Sequence, residues 1–310
     1  GWYGLKDVEE RFRKRYLDLI LNDGVKDTFE KRSETLRTLR EFLWKEGFIE
    51  VETPVLQPIP GGAIARPFKT HHNALGQDFY LRIAPELYLK RLLIGGFNRI
   101  FEMGRVFRNE GMDREHNPEF TMLELYWAYQ DYEGLIKFTE KMLKPFFKEK
   151  WKRASYADLF KQYAGKDLDK VKNKEEIDDI FKRKVRPHLK KPVIVTGHPK
   201  SISPLSKSSD ENPNITERFQ FVVDSTELVN GFSELNDPID QRERMEYQEK
   251  LFRKGDEEAS RTDEDFLEAL EYGMPPAAGL GLGVDRLVAM VAKRSSLKES
   301  ILFPTLKKKK

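Results

Sequence analysis

The sequence contains no cysteine in its 310 residues, and this absence removes several kinds of chemistry. Without thiols the chain cannot form disulfide bonds, use a thiol nucleophile or build a zinc site from cysteine. Long apolar runs are also missing, since no stretch approaches the roughly 18 apolar residues that a membrane-spanning helix requires. The first residues do not have the pattern of a secretory signal. We therefore expect a soluble intracellular protein without a membrane partner.

A strong excess of charge of one sign is absent as well. The chain carries 55 Lys and Arg against 52 Asp and Glu, and the lysines at 307–310 account for more than the whole net charge of +3. Such a weak balance does not by itself indicate nucleic acid binding, and the basic tail at 307–310 is most simply a solvated end. The length allows one large domain, or one domain with an insertion.

Local patterns define the first elements. An amphipathic helix is predicted over residues 27–47, with Asp27 and Glu30 at capping-box spacing at its start. A strand follows over 48–53, and Pro54 ends it.

The next segment, 57–70, is rich in Pro and Gly, which predicts a loop. Its Gly61 and Gly62 can bring backbone N–H groups close to a ligand. A short helix is predicted from Pro85 to Gly95.

Two strands with polar faces are predicted over 100–110 and 119–129. Side chains alternate between the two faces of a strand. In the second strand, the even positions put Phe120, Met122, Glu124 and Tyr126 on one face, whereas Leu123, Leu125 and Trp127 lie on the other. One apolar face and one face carrying a carboxylate and a phenol indicate a binding surface.

The rest of the chain alternates between charged and apolar segments. Residues 134–190 are Lys-rich and are interpreted as a peripheral helical insertion, and 241–272 as a charged helical region. Further strands are predicted at 192–196, 217–223, 227–235 and 277–283, the last followed by a helix with a buried apolar stripe. Strands with helices set between them, without regular alternation, predict an α+β fold.

Gly279, Gly281 and Gly283 are followed by Asp285 and Arg286. Their spacing does not fit the dinucleotide-binding fingerprint. The run predicts a strand that leads into a helix whose first turn presents Arg286 to a planar or anionic ligand. Together with Arg108 and Phe120, this pattern suits nucleotide binding by charge and stacking.

Three segments carry a resemblance to a known family. The strand ending at Thr53-Pro54, the segments 107–110 and 116–120, and the segment 279–286 are similar to motifs 1, 2 and 3 of class II aminoacyl-tRNA synthetases. Short sequence motifs between these segments resemble those of the lysine enzymes; they lie at 61–63, 66–68, 70–73, 86–91, 124–126 and 230–236. The resemblance covers nearly the whole chain and is weakest over 145–190.

The resemblance implies a catalytic domain over 27–306, with a mostly antiparallel sheet flanked by helices. It implies a cytoplasmic homodimer formed through the helix at 27–47 and the strand to Pro54, with L-lysine, ATP and the acceptor end of tRNA(Lys) as partners. Arg108 and Arg286 would be catalytic. The ATP-binding residues would be Arg108, Glu110, His116, Asn117, Phe120 and Arg286.

For lysine, the resemblance implies recognition of each polar group of the substrate. The residues concerned are Gly62, Glu86, Arg108, Glu124, Tyr126, Asn230, Phe232 and Glu234. Magnesium would be held by Glu227 and Gln220.

Three positions depart from the family pattern. Gln220 stands where relatives usually have a metal-binding glutamate, which would weaken one magnesium site. Arg114 lies one residue earlier than the loop arginine that meets the γ-phosphate in relatives. Glu227 is out of phase with Asn230 on a regular strand, so we expect a bulge or turn between Ser225 and Asn230.

The resemblance also bears on what precedes the catalytic domain. Members that charge tRNA carry an N-terminal OB-fold that reads the anticodon, and residues 1–26 are similar to the linker after it. We therefore expect a catalytic core without that domain, and weaker tRNA binding. Two alternatives remain: a lysyl transferase that modifies a protein such as elongation factor P, and a catalytically inactive regulatory paralogue.

Overall fold

The computed structural model describes residues 4–113, 116–171 and 176–308. The α-helices are α1 (Val8–Arg13), α2 (Arg15–Leu21), α3 (Val25–Lys45), α4 (Glu86–Ile94), α5 (Tyr132–Leu143), α6 (Tyr156–Ala164), α7 (Glu176–Ile180), α8 (Pro238–Arg253), α9 (Glu264–Glu271) and α10 (Val284–Val291). The strands are β1 (Ile49–Glu50), β2 (Leu56–Gln57), β3 (Lys69–His72), β4 (Gln77–Leu81), β5 (Arg99–Phe107), β6 (Glu119–Ala128), β7 (Lys152–Ser155), β8 (Val193–Pro199), β9 (Ile215–Val223), β10 (Thr226–Ser233) and β11 (Ala277–Gly283).

A mixed, mostly antiparallel sheet organises the molecule, in the order β1-β5-β6-β11-β10-β9-β8-β7. The pairs β1–β5 and β7–β8 are parallel and the other pairs are antiparallel. A second antiparallel sheet has the order β2-β4-β3. No described helix is long and apolar enough to cross a membrane. The predicted α+β fold is confirmed.

The two faces of the large sheet differ, as the alternation in β6 predicted. Leu123 and Leu125 lie in the main core together with apolar side chains of α3, α5 and α10. On the opposite face, Tyr126 packs in a second cluster that contains Leu87 of α4 and Phe266 of α9. The polar half of that second face is therefore free to form a site between α4 and the sheet.

Several predicted boundaries need correction. Helix α3 begins at Val25 with Gly24 as its N-cap, so Asp27 and Glu30 do not form the predicted capping box. Strand β1 covers Ile49–Glu50 instead of 48–53. Strand β5 ends at Phe107, so Arg108 leaves the strand and continues into a loop.

The segment predicted as a peripheral helical insertion is more varied than expected. It contains helices α5, α6 and α7, but β7 joins the edge of the main sheet through β8. Leu135 and Ile136 of α5 lie in the main core. A third cluster, around Tyr156 and Phe160, packs on Val195 and Val222 of the same sheet.

The N-terminal segment packs against the C-terminal part of the chain. The buried guanidinium of Arg15 donates to the backbone oxygens of Lys298, Ile301 and Leu302 at 2.9 to 3.1 Å. Asp18 Oδ2 lies 2.5 Å from Arg15 Nη1. Charged groups that are buried with full hydrogen bonding hold elements in register. The interpretation of 1–26 as a linker did not anticipate this contact.

Candidate active site

A cavity of ≈ 600 Å³ opens on the polar face of the central strands. Most of the residues predicted to bind substrates line it: Gly62, Glu86, Arg108, Glu110, His116, Asn117, Phe120, Glu124, Tyr126, Gln220, Glu227, Asn230, Phe232 and Arg286. Glu234 is the exception, since it is buried and is not among the lining residues, although its Oε1 lies beside the lining residue Gly279. Arg114 falls outside the described residues.

One end of the cavity holds an unusual group of buried charges, which we call the acidic cluster: Glu86, Glu124, Glu234 and Lys90. Lys90 Nζ lies 2.6 Å from Glu86 Oε1 and 2.5 Å from Glu234 Oε2, and its side chain is fully buried. The hydroxyl of Tyr126 donates to Glu124 Oε2 at 3.1 Å. Two of the three carboxylates thus share one ammonium group, and the third is bound by a phenol.

The cluster leaves a carboxylate oxygen without a partner. Glu234 Oε1 is buried and has no hydrogen-bond partner among the described residues. It points to the space over Gly279, where an added Cβ would lie 2.5 Å from both this oxygen and the Tyr126 ring. Buried acceptors are almost always satisfied in folded proteins, so an unpaired one indicates a missing donor. Glycine at position 279 keeps that space open.

Burial and mutual repulsion disturb the ionisation of these carboxyls. Burial, reinforced by the charge of Glu86, raises the pKa of Glu124 to about 8. Burial also raises the pKa of Glu234 to about 8, although Lys90 opposes the change. The pKa of Glu86 is raised by burial against the pull of Lys90. The cluster therefore resists carrying its full negative charge until another cation is present.

The opposite end of the cavity is basic and aromatic. The Arg108 guanidinium lies over the Phe120 ring, 5.2 Å from its centroid, and burial lowers the Arg108 pKa. Arg286 Nη1 donates to the backbone oxygen of Glu227 at 2.7 Å. Asp285 accepts from the Thr121 backbone N–H at 2.7 Å, which fixes α10 against β6. Both arginines and the aromatic ring face one open space, as predicted.

The predicted metal residues are in contact. Gln220 Nε2 donates to Glu227 Oε2 at 2.9 Å. The register of β9 and β10 shifts between Glu227 and Val229, which confirms the predicted bulge. The bulge explains how Glu227 reaches the cavity although it is out of phase with Asn230. No group of three or more acidic or histidine side chains suited to a metal occurs within the described residues.

The loop before β6 contributes two polar groups. Asn117 Nδ2 donates to the Glu119 backbone oxygen at 2.6 Å, whereas its Oδ1 is buried and has no partner among the described residues. His116 Nδ1 lies 2.9 Å from the Asp113 carboxylate at the exposed side of the cavity. These groups are placed to meet a ligand that enters past the loop.

Sequence reasoning missed three residues of this site. Arg218 Nε donates to Asn230 Oδ1 at 2.8 Å and fixes the orientation of that amide. Gln241 of α8 lines the cavity, and both polar atoms of its buried amide lack partners within the described ranges. Lys90 follows Glu86 by four residues, a spacing that places both on one helix face and could have indicated their pairing. Nothing in the local sequence marked Gln241.

Comparison with known proteins places the whole chain among its relatives. The family described as tRNA synthetases class II (D, K and N) matches residues 7–307. The lysine–tRNA ligase of Moorella thermoacetica is 47% identical over 347 aligned positions, covering 99% of this chain and 71% of the relative. The corresponding enzyme of Thermoanaerobacter pseudethanolicus is 48% identical over 348 positions, covering 99% and 70%. That of Clostridium tetani is 47% identical over 348 positions, covering 99% and 69%.

Proposed function

We propose that this chain, which belongs to the tRNA synthetases class II (D, K and N), is the catalytic part of a lysine–tRNA ligase. It activates L-lysine with ATP and transfers the lysyl group to the 3′ end of tRNA(Lys). The acidic cluster is the observation that favours lysine within this family. An aspartate side chain would be repelled by three buried carboxylates, and an asparagine side chain would leave them without a countercharge.

The free groups of the cavity match the polar groups of lysine. The ε-ammonium would take the open acceptor of Glu234 together with Glu124 and Tyr126, and so supply the missing cation. Glu86 and the backbone at Gly62 would hold the α-amino group. Gly62 has φ +85, and a Cβ there would lie 2.8 Å from Glu86 Cβ, so only glycine lets a ligand approach this backbone. Arg108 and Asn230 would bind the carboxylate, with Phe232 along the aliphatic chain.

The basic end suits ATP and the first chemical step. A lysine carboxylate oxygen attacks the α-phosphorus, the bond to the β-phosphate oxygen breaks, and pyrophosphate leaves with the electron pair. Arg108 would neutralise both the carboxylate and the α-phosphate, which otherwise repel each other. Arg286 and Phe120 would stack on adenine, and stacking of this kind contributes about 1–3 kcal/mol per base. Glu110, His116 and Asn117 would contact the base and the phosphates.

Glu227 and Gln220 fit a magnesium ion held jointly with the phosphates of ATP. Mg²⁺ binds oxygen ligands and usually takes one or two protein groups, with phosphate and water supplying the rest. Glu227 offers a carboxylate, and a half-turn of the adjacent Gln220 amide would present its oxygen to the same point. Bound there, the ion would reduce the negative charge that the phosphates present to the attacking carboxylate.

A homodimer through α3 and β1 is part of the proposal. Trp44 and Ile49 are each 53% exposed and Leu56 is 46% exposed, which is unusual for large apolar side chains. Two-fold pairing of these surfaces would bury them. Sedimentation should show a dimer, and Ile49→Lys should shift the chain toward the monomer.

Lysine-dependent exchange of pyrophosphate into ATP tests the proposed activity. Exchange should occur with lysine and fall sharply with ornithine, arginine or aspartate in its place. Charging of tRNA(Lys), compared with lysylation of a protein acceptor, then identifies the second substrate. A folded chain that exchanges with none of these amino acids at any magnesium concentration would contradict the proposal and favour an inactive paralogue.

A further inference from the structure

Lys90 occupies a place in the acidic cluster that the proposed chemistry does not explain. Its side chain has no exposed surface and does not line the cavity, and an ammonium group would repel the two ammonium groups of lysine rather than bind them. Its ammonium nevertheless lies within 2.6 Å of two different carboxylates, those of Glu86 and Glu234. A buried charge with this arrangement acts through the groups it touches.

These two carboxylates belong to different elements of the chain. Glu86 begins α4 next to the backbone at Gly62, whereas Glu234 follows the last residue of β10 beside Tyr126 and Gly279. Lys90 is the group that joins them. The Phe232 ring, which lines the cavity, lies with its centroid 5.6 Å from Lys90 Nζ and adds a further favourable contact.

We propose that Lys90 is a positioning residue for lysine recognition, an internal ammonium that favours the ionised forms of Glu86 and Glu234 and holds their carboxylates at a fixed separation. This inference rests on the proposed function. Fixed carboxylates select for the distance between the α-amino and ε-ammonium groups of the substrate. The cluster also contains one cation and three carboxylates. The ammonium groups of the bound lysine would supply the positive charge that the cluster lacks.

The electrostatics agree with the geometry. Burial alone would lower the Lys90 pKa, but the attraction of Glu234 and Glu86 outweighs burial and raises it, so the ammonium stays charged. The same attraction acts against the rise in the pKa of Glu234 and of Glu86. The other titratable groups of the cluster are Glu124 and Tyr126 on β6, and both lack contact with Lys90 in the described hydrogen bonds and ion pairs.

Replacing Lys90 with methionine removes the charge and nearly keeps the length. Lys90→Met should raise the KM for lysine about 30-fold or more, as for other losses of a buried charge partner, and change the KM for ATP less than about twofold. The pH at which lysine binding is half-maximal should move upward, because Glu86 and Glu234 lose the cation that favours their ionised forms. Lys90→Arg keeps the charge and should return this pH toward the wild-type value.

Arg91→Met is the matched control. Arg91 follows Lys90 on the same helix and pairs with Asp263, with Nη2 2.9 Å from the carboxylate, away from the acidic cluster. This variant also loses a cation and an ion pair, but its lysine KM and pH profile should stay those of the wild type.

The outcomes separate the inference from the proposed function. If the wild type exchanges pyrophosphate with lysine while folded Lys90→Met keeps its lysine KM and pH profile, the inference alone is wrong. Equal losses toward lysine and ATP would also contradict it, because they indicate a general structural role. Should Lys90→Met not fold, Lys90→Met/Glu234→Gln removes one charge of each sign. Its lysine KM should exceed that of Glu234→Gln by about tenfold, since Glu86 also loses its partner, and equality would overturn the inference.

Discussion

Two groups of buried charges lie close together in this chain and are built in opposite ways. The first, which we call the Arg82 pair, consists of Arg82 and Glu102 with Thr53. Arg82 binds Glu102 and donates to the Arg105 backbone oxygen at 2.8 Å, and Thr53 Oγ1 donates to Glu102 Oε2 at 2.6 Å. One cation meets one anion, and no atom of the pair remains buried without a partner in the described part of the chain.

The acidic cluster has three carboxylates for one ammonium, and an oxygen of Glu234 is unpaired. The Arg82 pair joins β5 to the segments before it, and nothing in its arrangement calls for a ligand. A buried network with fewer cations than anions is costly by itself, and becomes favourable only when further positive charge binds. Charge balance therefore distinguishes the Arg82 pair from the acidic cluster, which we propose to bind lysine, more clearly than burial does.

The largest expected difference follows from removing one charge of the acidic cluster. Glu124→Gln should lower kcat/KM for lysine about a hundredfold or more, because the substrate loses a buried counterion. The free energy of unfolding should stay the same or rise by about 1 kcal/mol, since a carboxylate with a pKa of about 8 no longer has to be accommodated. Exchange kinetics and thermal unfolding measure the two effects. A large loss of stability would mean that this cluster too is structural.

The converse change is Arg82→Met. It should lower the free energy of unfolding by about 3–5 kcal/mol, because Glu102 is left buried and uncompensated. The KM for lysine of the protein that remains folded should not change, since Arg82 does not line the cavity. Denaturant unfolding and lysine titration of the same preparation test both statements. A lysine-specific defect would show that the two networks are coupled.

Features set by local sequence pattern could be predicted, whereas contacts between distant residues could not. Alternation in β6 predicted which side chains face the cavity, because the strand period fixes their direction. The phase conflict between Glu227 and Asn230 predicted the bulge for the same reason. The pairing of Lys90 with Glu234 joins elements 144 positions apart, and the burial of Arg15 depends on carbonyls near residue 300. Local pattern carries no information about such contacts, so these were missed.

The pH dependence of lysine binding tests the ionisation of the acidic cluster in the wild-type protein, without any substitution. The pKa values of Glu124 and Glu234 are raised to about 8 in the unliganded chain, so both carboxyls are mostly protonated at pH 7. If lysine binds to their ionised forms as proposed, its Kd should fall between pH 6 and pH 8, by up to about tenfold per pH unit for each proton released. Calorimetry in buffers of different ionisation enthalpy counts these protons. A Kd that is constant over this range would contradict the reading of the cluster.

The same pKa values fix the sign of the stability change. The folded-state pKa of each carboxyl lies above its unfolded value of 4.5, so protonation favours the folded state. This contribution is complete below about pH 4.5 and is lost as the pH rises through about 8. The increase in Tm caused by lysine should therefore be larger at pH 8 than at pH 6.

The smallest expected effect concerns Gln241. Like Glu234 in the acidic cluster, it has buried polar atoms without hydrogen-bond partners, but it carries no charge. Both polar atoms of its buried amide lack partners within the described residues, and it lines the cavity. Gln241→Met keeps the length and removes the amide. If the amide hydrogen-bonds the substrate, the KM for lysine should rise about threefold to tenfold, the range for one neutral hydrogen bond. The Tm should stay constant or rise, because an unpaired buried amide destabilises the unliganded chain. A lower Tm with an unchanged KM would instead place Gln241 with the Arg82 pair, as part of the scaffold that holds α8 against the sheet.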